Sequence, residues 1–294
     1  GPAHNTPNIP TGSSFEIGGG DRKHMGGGAV INNRGNAVWS GGEVMGFGGS
    51  VIANRAGGSF LVTSPATLIN YNGGNVFLNE GTLNIGAPLG VMNTHWGFHQ
   101  SATGLLDIQL GGTNPATPQF DRILIGDGNT VLGGTLRVGL TNSFIPVPDT
   151  TFGILSFPAC TGSFASLQCP GLLMEAQHNG GDVALIAKDQ PETNKEWKQY
   201  FFPDPLAAEA QPMADPDNDG MPNLLEYAFG MDPHNGSKAP TTALATVDSL
   251  GGKSVVVSGT RYGSIAFDRP YGTAALTDVT YAVERSTTLL TPSW

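Results

Sequence analysis

The feature that most constrains this chain is a run of short apolar segments that alternate with polar residues and stop at glycine or asparagine. From about residue 16 to 140 the pattern returns loosely, as "GGGAVINNRGNAVWSGG", "GGSVIANRAGGSFLV", "NGGNVFLNEGTLNIG", "ATGLLDIQLGG" and "GNTVLGGTLRVGL". Alternation with a period of two marks a strand with one buried face, and Gly-Gly or Asn-Gly between such runs marks a tight corner. Recurrence at roughly twenty residues means one supersecondary coil stacked many times, because a lone coil cannot bury its own apolar face. No helical periodicity interrupts this half of the chain. The fold class this predicts is all-β: a right-handed parallel β-helix or similar β-solenoid over residues 16–188.

Composition agrees. Of 294 residues 43 are glycine and only 13% are charged, while 39% are hydrophobic. Glycine at that density without a three-residue period is not collagen, and the apolar content is too high for a disordered chain. A net charge of −10 argues against nucleic acid or an anionic membrane as partner, since both require a basic face. No apolar run reaches the ~18–20 residues that span a bilayer. The negative charge is concentrated: residues 189–235 hold ten carboxylates against two lysines.

Four segments follow from these shifts in style. Residues 1–15, Pro-rich and polar, are expected to be a flexible N-terminal segment. Residues 16–188 form the solenoid, with its last coils and a cap over 141–188, where "HNGGD" signals a hairpin that protects the terminal edge. Residues 189–239 form an acidic linker, in which 222–229 is the only helix predicted. Residues 240–294 return to strands, as in "KSVVVSGTRY", and suggest a small β-sandwich.

The linker contains "DPDNDGMPNLLE". Set on a twelve-residue calcium loop, Asp215, Asp217 and Asp219 occupy the alternate acidic positions and Gly220 the sharp bend. Met221 offers its carbonyl, Asn223 its side chain, and Glu226 closes as a bidentate ligand from the first helical turn. Hard oxygens in that number, with three or four negative charges, suit Ca2+ better than Mg2+. A sensor would need paired helix-loop-helix units, so the ion is expected to be structural. Cys160 and Cys169 lie nine apart in "CTGSFASLQC", a spacing that predicts a disulfide across a small loop, and with it an oxidising compartment; the alternative is a pair of free thiols.

The stretch "EWKQYFFPDPLAAEAQPMADPDNDGMPNLLEYAFGMDP" resembles a module found in large secreted proteins of Verrucomicrobia and Planctomycetes, which carry a thrombospondin-type-3 or dockerin-like calcium loop. "GLLDIQLGG" and "FDRILIGDGNTVLGGTLRVGL" resemble the autotransporter-associated β-helix repeats that precede it, and "VTYAVERSTTLLTPSW" the small β-sandwich that follows. The resemblance implies secretion or a cell-surface location; the shortage of clustered acids and bases favours a non-enzymatic structural or adhesive role, the alternative being a polysaccharide-binding or polysaccharide-degrading β-helix protein. The resemblance also implies two further sandwich strands beyond Trp294, which leaves an edge open to a strand from elsewhere. True dockerins duplicate the loop; a single copy argues against cohesin binding.

Other constellations are thinner. His95 and His99 are four apart, but in strand country and without the glutamate of a zinc protease motif. Glu43, Glu80, Asp107, Asp121 and Asp127 are scattered, with few basic partners, which points away from lyase or glycosidase chemistry. Trp39, Trp96, Phe47 and Phe98 fit either a sugar-facing groove or the core. Asn32, Asn33, Asn54 and Asn72 are expected to form amide ladders at corners rather than sugar contacts. Two partners are expected: an extracellular glycan, and further copies joined head to tail, with "HNTPNIPTGSSF" donated to the open sandwich edge.

Overall fold

The computed structural model of the chain describes residues 6–63, 65–86, 89–189, 191–236, 255–257, 260–262 and 276–279. The chain divides into two compact units, Gly1–Asp189 with Lys198–Ala207, and Gln190–Trp197 with Ala208–Trp294.

In the first unit successive strands visit three sheets in turn, so that each sheet collects every third strand. One sheet stacks Asn8–Ile9, Val30–Asn33, Val51–Asn54, Val76–Asn79, Gly97–Gln100, Thr130–Leu132 and Cys160–Gly162, all parallel. A second sheet starts at Ser14–Ile17 and a third at Lys23–Met25. This is the stack of coils that the Gly-bounded repeats predict.

The alternation works as expected from its period. In Val76–Asn79 and Thr82–Ile85 every second residue is buried. Parallel register then places like on like: Ile31 pairs with Ile52, Ile52 with Phe77 and Phe77 with Phe98. Phe77 and Phe98 stack at 6.2 Å, and Phe60 meets Phe77 edge-on at 5.1 Å. Each fully buried side chain of this size contributes about 1.5–3 kcal/mol by leaving water.

One inward column is polar. Asn33 donates its amide to Asn54 at 2.9 Å, Asn54 to Asn79 at 2.9 Å, and Asn79 to Gln100 at 3.1 Å. Each amide also donates across the corner to a backbone carbonyl, of Ser59, Thr82 and Leu105 in turn. All four side chains are buried, and the steps are 21, 25 and 21 residues. The ladder predicted at Asn33 and Asn54 is present, and it runs on through Asn79 and Gln100. Asn32 makes a separate pair with Asn8, and Asn72 instead accepts from the Gly48 N–H.

The N-terminal segment departs from expectation. Asn8–Ile9 and Ser14–Ile17 are strands of the first coil, paired with Asn32–Asn33 and Asn36–Trp39. The alternation in "SFEI" outweighs the turn residues around it. The chain thus uses in its own first coil the stretch expected to be donated to a neighbour.

At the other end Met174–His178 and Asp182–Ala187 form an antiparallel hairpin, which adds to the third sheet beside Thr151–Ser156. Asn179 closes its turn through both backbone and side chain onto Asp182. This is the cap that "HNGGD" predicts.

The expected disulfide is not formed; both cysteines are free thiols. Cys160 opens a strand of the first sheet, while Cys169 follows Ser166–Gln168 of the second and is fully buried. A corner of the coil separates them, so nearness in sequence does not become nearness of sulfurs. Burial raises both thiol pKa values, that of Cys169 to about 12, which suppresses the reactive thiolate. Denatured, unreduced protein is expected to titrate two thiols, and folded protein at most the half-buried Cys160.

Asp121 is a fully buried carboxyl that accepts the Gly90 N–H and the Gln109 N–H, both at 2.8 Å, and so ties neighbouring coils together. Burial pushes its pKa up from 3.8 to about 7, against the pull of those two bonds; nearby Asp107 raises it further. Between these values the folded chain holds a proton that the unfolded chain releases. Stability from this group is therefore full below about pH 4, falls as pH rises towards 7, and is level above, a change of roughly 4 kcal/mol. Denaturant unfolding of wild type and Asp121→Asn across that range should show the slope in the first and its loss in the second.

In the second unit, α1 spans Asn194–Phe201, although its last residues belong to the first, and α2 spans Asn223–Phe229. The sequence reading places no helix at α1. Its start is nonetheless a capping box: Glu196 N–H bonds to Thr193 Oγ1, and Glu196 Oε2 accepts the Thr193 N–H. Trp197 packs on Tyr227 at 5.9 Å and donates its indole N–H to the Met231 carbonyl. Asp278 accepts the Asn194 N–H and the Tyr227 hydroxyl. Val255–Val257 and Thr260–Tyr262 form an antiparallel pair. Apart from 276–279, the rest of the expected β-sandwich over 240–294 lies outside the described residues.

Candidate metal centre

The second unit brings together the carboxylates of the acidic motif. One ligand oxygen each from Asp215, Asp217 and Asp219 lies within 4.8 Å of the others. Two left-handed residues make this possible: Asn218 at φ 61° and Gly220 at φ 92°. Their reversals fold the loop so that alternate side chains converge. The loop also holds itself: Gly220 N–H donates to Asp215, Asp219 N–H to Asp217 and Met221 N–H to Asp219, at 3.0, 3.2 and 2.7 Å. Each aspartate spends one oxygen in this way. The other, Oδ1 of Asp215 and Oδ2 of Asp217 and Asp219, is buried without a hydrogen-bond partner.

Glu226 adds a fourth carboxylate to their field, from outside that 4.8 Å cluster. It lies one turn into α2, is fully buried, and neither carboxylate oxygen has a hydrogen-bond partner. Burial first, then the charges of Asp217, Asp219, Asp215 and Asp232, push its pKa up to about 7. A buried carboxyl beside three others is costly unless something positive sits among them. The end of α2 fixes it in place: Gly230 adopts a left-handed φ of 68°, its N–H bonds to the Tyr227 carbonyl, and Met231 N–H bonds to the Glu226 carbonyl, the Schellman pattern that favours glycine here.

The remaining predicted ligands sit differently. Asn223 is buried, but its amide donates to the carbonyls of Glu209 and Gln211 at 2.7 and 2.9 Å, while its Oδ1 has no partner. Its N–H₂ thus braces the loop that leads into the motif. Met221 is half-buried and is held through its N–H. A residue not singled out in the sequence, Asp232, adds its charge to the field at Glu226 from beyond the helix. The loop that follows it closes in, so that a Cβ on Gly236 would stand 2.9 Å from Asp219 Cβ. The Gly-x-Asp-Pro ending of the helix was the available signal.

The other candidates separate cleanly. Trp39, Trp96 and Phe98 are fully buried in the solenoid core, and Phe47 is half-exposed. His95 pairs with Asp127 at 2.8 Å, and among the described residues the acidic triad is the one cluster with metal-ligand spacing. Comparison with protein-family models and with curated proteins returned no match.

Proposed function

We propose that this is a non-enzymatic structural or adhesive protein of the cell surface or extracellular space, in which Ca2+ stiffens the segment after a β-solenoid. The observation that carries the cation is Glu226, fully buried with both oxygens unpartnered beside three converging aspartates. Asp215, Asp217, Asp219 and Glu226 supply hard oxygens, with the Met221 carbonyl and Asn223 Oδ1 as neutral additions, a donor set that suits Ca2+. The extracellular location rests on the resemblance of the motif and the repeats to secreted bacterial modules, and on the match between a millimolar-calcium environment and such a site. The non-enzymatic reading is supported by the pairing of solenoid acids with arginines, Glu80 with Arg55 and Asp107 with Arg137.

Calorimetric titration tests the reading. Ca2+ should bind at one site in the metal-free protein, Mg2+ more weakly, and Glu226→Ala should abolish the signal. Absence of any Ca2+ heat at millimolar ion, or new reducing ends released from a panel of polysaccharides, would sink it.

A further inference from the structure

A second feature of the solenoid lies far from the acidic motif in sequence and owes nothing to it. Along the edge where the third sheet turns back towards the first, three successive coils each present one ring outward: His24, Phe47 and Tyr71. His24 and Phe47 have centroids 5.8 Å apart, and Phe47 and Tyr71 5.5 Å apart with Tyr71 edge-on. An outward aromatic row is unexpected in a protein that buries Trp39, Trp96, Phe60, Phe77 and Phe98 completely.

The row is built rather than incidental. Gly46 pairs with Asn70 and Phe47 with Asn72, so Tyr71 is the extra residue of a β-bulge, an irregularity that is rare between parallel strands and re-aims the side chain it inserts. Tyr71 is 69% exposed as a result. The bulge is pinned from beneath by a buried amide: Asn75 donates to Asn70 Oδ1 at 2.6 Å and accepts the Ser50 N–H at 2.7 Å. Asn72 fastens the same strand to the Gly48 N–H.

Beside the rings the surface is bare backbone. Each of the three coils continues into glycines, Gly26–Gly28, Gly48–Gly49 and Gly73–Gly74. These pack main chain on main chain, and a Cβ at Gly49 or Gly74 would meet nothing within 4 Å. The result is a shelf with open space above it and exposed peptide groups along it, flanked by rings that repeat with the ~4.8 Å rise of stacked strands. The margin carries no net charge. Arg22 is neutralised by Glu43 at 2.6 Å, and Lys23, beside Asp21, is held by the carbonyls of Gly19 and Gly41.

We infer that this edge is a binding site for an uncharged glycan chain lying along the solenoid axis, about one sugar ring per coil. Ring faces and edges take the apolar C–H surfaces of sugars, and those glycine peptide groups of the shelf not already bonded within the coils, as the Gly28 and Gly48 N–H groups are, hydrogen-bond their hydroxyls. A polyuronate or a nucleic acid would need a run of cations, where the margin offers only Lys23 and an Arg22 already paired with Glu43. A rigid, pre-shaped platform of this kind binds without ordering loops, which lowers the entropic cost of association.

The test uses the full chain, with and without Ca2+, so that it stands apart from the cation reading. Calorimetry or amide chemical shifts should detect neutral hexasaccharides of glucose, mannose or xylose, and not oligogalacturonate. Tyr71→Ala should weaken that binding at least tenfold, as should Gly74→Trp, which places a side chain in the open space over the shelf. Both positions are exposed, so the fold should survive, as circular dichroism would check. No binding by any neutral sugar in the panel, preference for the uronate, or unchanged affinity in both variants would each overturn the inference. So would a dimer that Tyr71→Ala dissociates, since the row would then receive a second copy.

Discussion

Asn54→Ala should destabilise the solenoid by about 4 kcal/mol, an exceptional loss for a single truncation of so small a side chain. The change leaves two buried groups without partners, one amide hydrogen of Asn33 and the Oδ1 of Asn79, and takes a second donor from the carbonyl of Thr82. Each such group costs about 1–3 kcal/mol. Asn54→Asp should do no better, because it keeps an acceptor for Asn33 but turns an oxygen towards Asn79 Oδ1. Asn72→Ala is the control. That residue is exposed and bonds only a corner N–H, so its loss should cost under about 1 kcal/mol. Denaturant unfolding followed by circular dichroism reads all three, and a cost for Asn54→Ala no larger than the control would show that the ladder contributes nothing.

The second large effect changes sign with conditions. In chelator, Glu226→Gln should unfold at a higher temperature than wild type, because it removes one buried charge from among Asp215, Asp217, Asp219 and Asp232. With Ca2+ at a hundredfold excess over its Kd, wild type should gain about 2.7 kcal/mol, while the variant gains little because its bidentate ligand is gone. The order of the two proteins should therefore reverse on adding calcium. Equal responses to calcium would mean that Glu226 holds no ion. Limited proteolysis near Asp215 should follow the same order, with the solenoid unaffected.

Much of the solenoid is legible in the sequence because its cause is local. Period-two alternation and Gly corners are properties of a few residues at a time, and stacking only multiplies them. The asparagine column is half legible. Asn33 and Asn54 repeat in similar contexts, but Gln100 fills the same place with a longer side chain, which no periodicity reveals. The converging aspartates are legible because their spacing and Gly220 together determine the loop. What stays hidden depends on the third dimension. Cys160 and Cys169 look like partners until a coil corner separates them, and Asp232 reaches Glu226 only after α2 has turned the chain back. Tyr71 reads as one more strand residue until the bulge expels it. For α1 the signal is present in Thr193 and Glu196, but Trp197, Tyr200 and Phe201 within eight residues give too short a stripe to be read as a helix.

The corners of the coil are unequal, and this bears on how such a chain tolerates change. Between the first and second sheets, Asn79 passes to Thr82 and Leu132 to Thr135 with two residues between. Between the second and third, Leu110 reaches Arg122 and Leu140 reaches Thr151 only through 111–121 and 141–150. The second of these loops holds Asn142, Ser143 and Asp149 at positive φ, and displays Ile145 and Val147 to solvent. Yet the strands on either side keep their register, Leu106 on Leu136 and Ile123 on Leu155. Length is thus absorbed at one vertex of the triangle without disturbing the other two. A vertex with that freedom is a natural graft point, where a foreign loop could be displayed at a chosen height along a rigid rod.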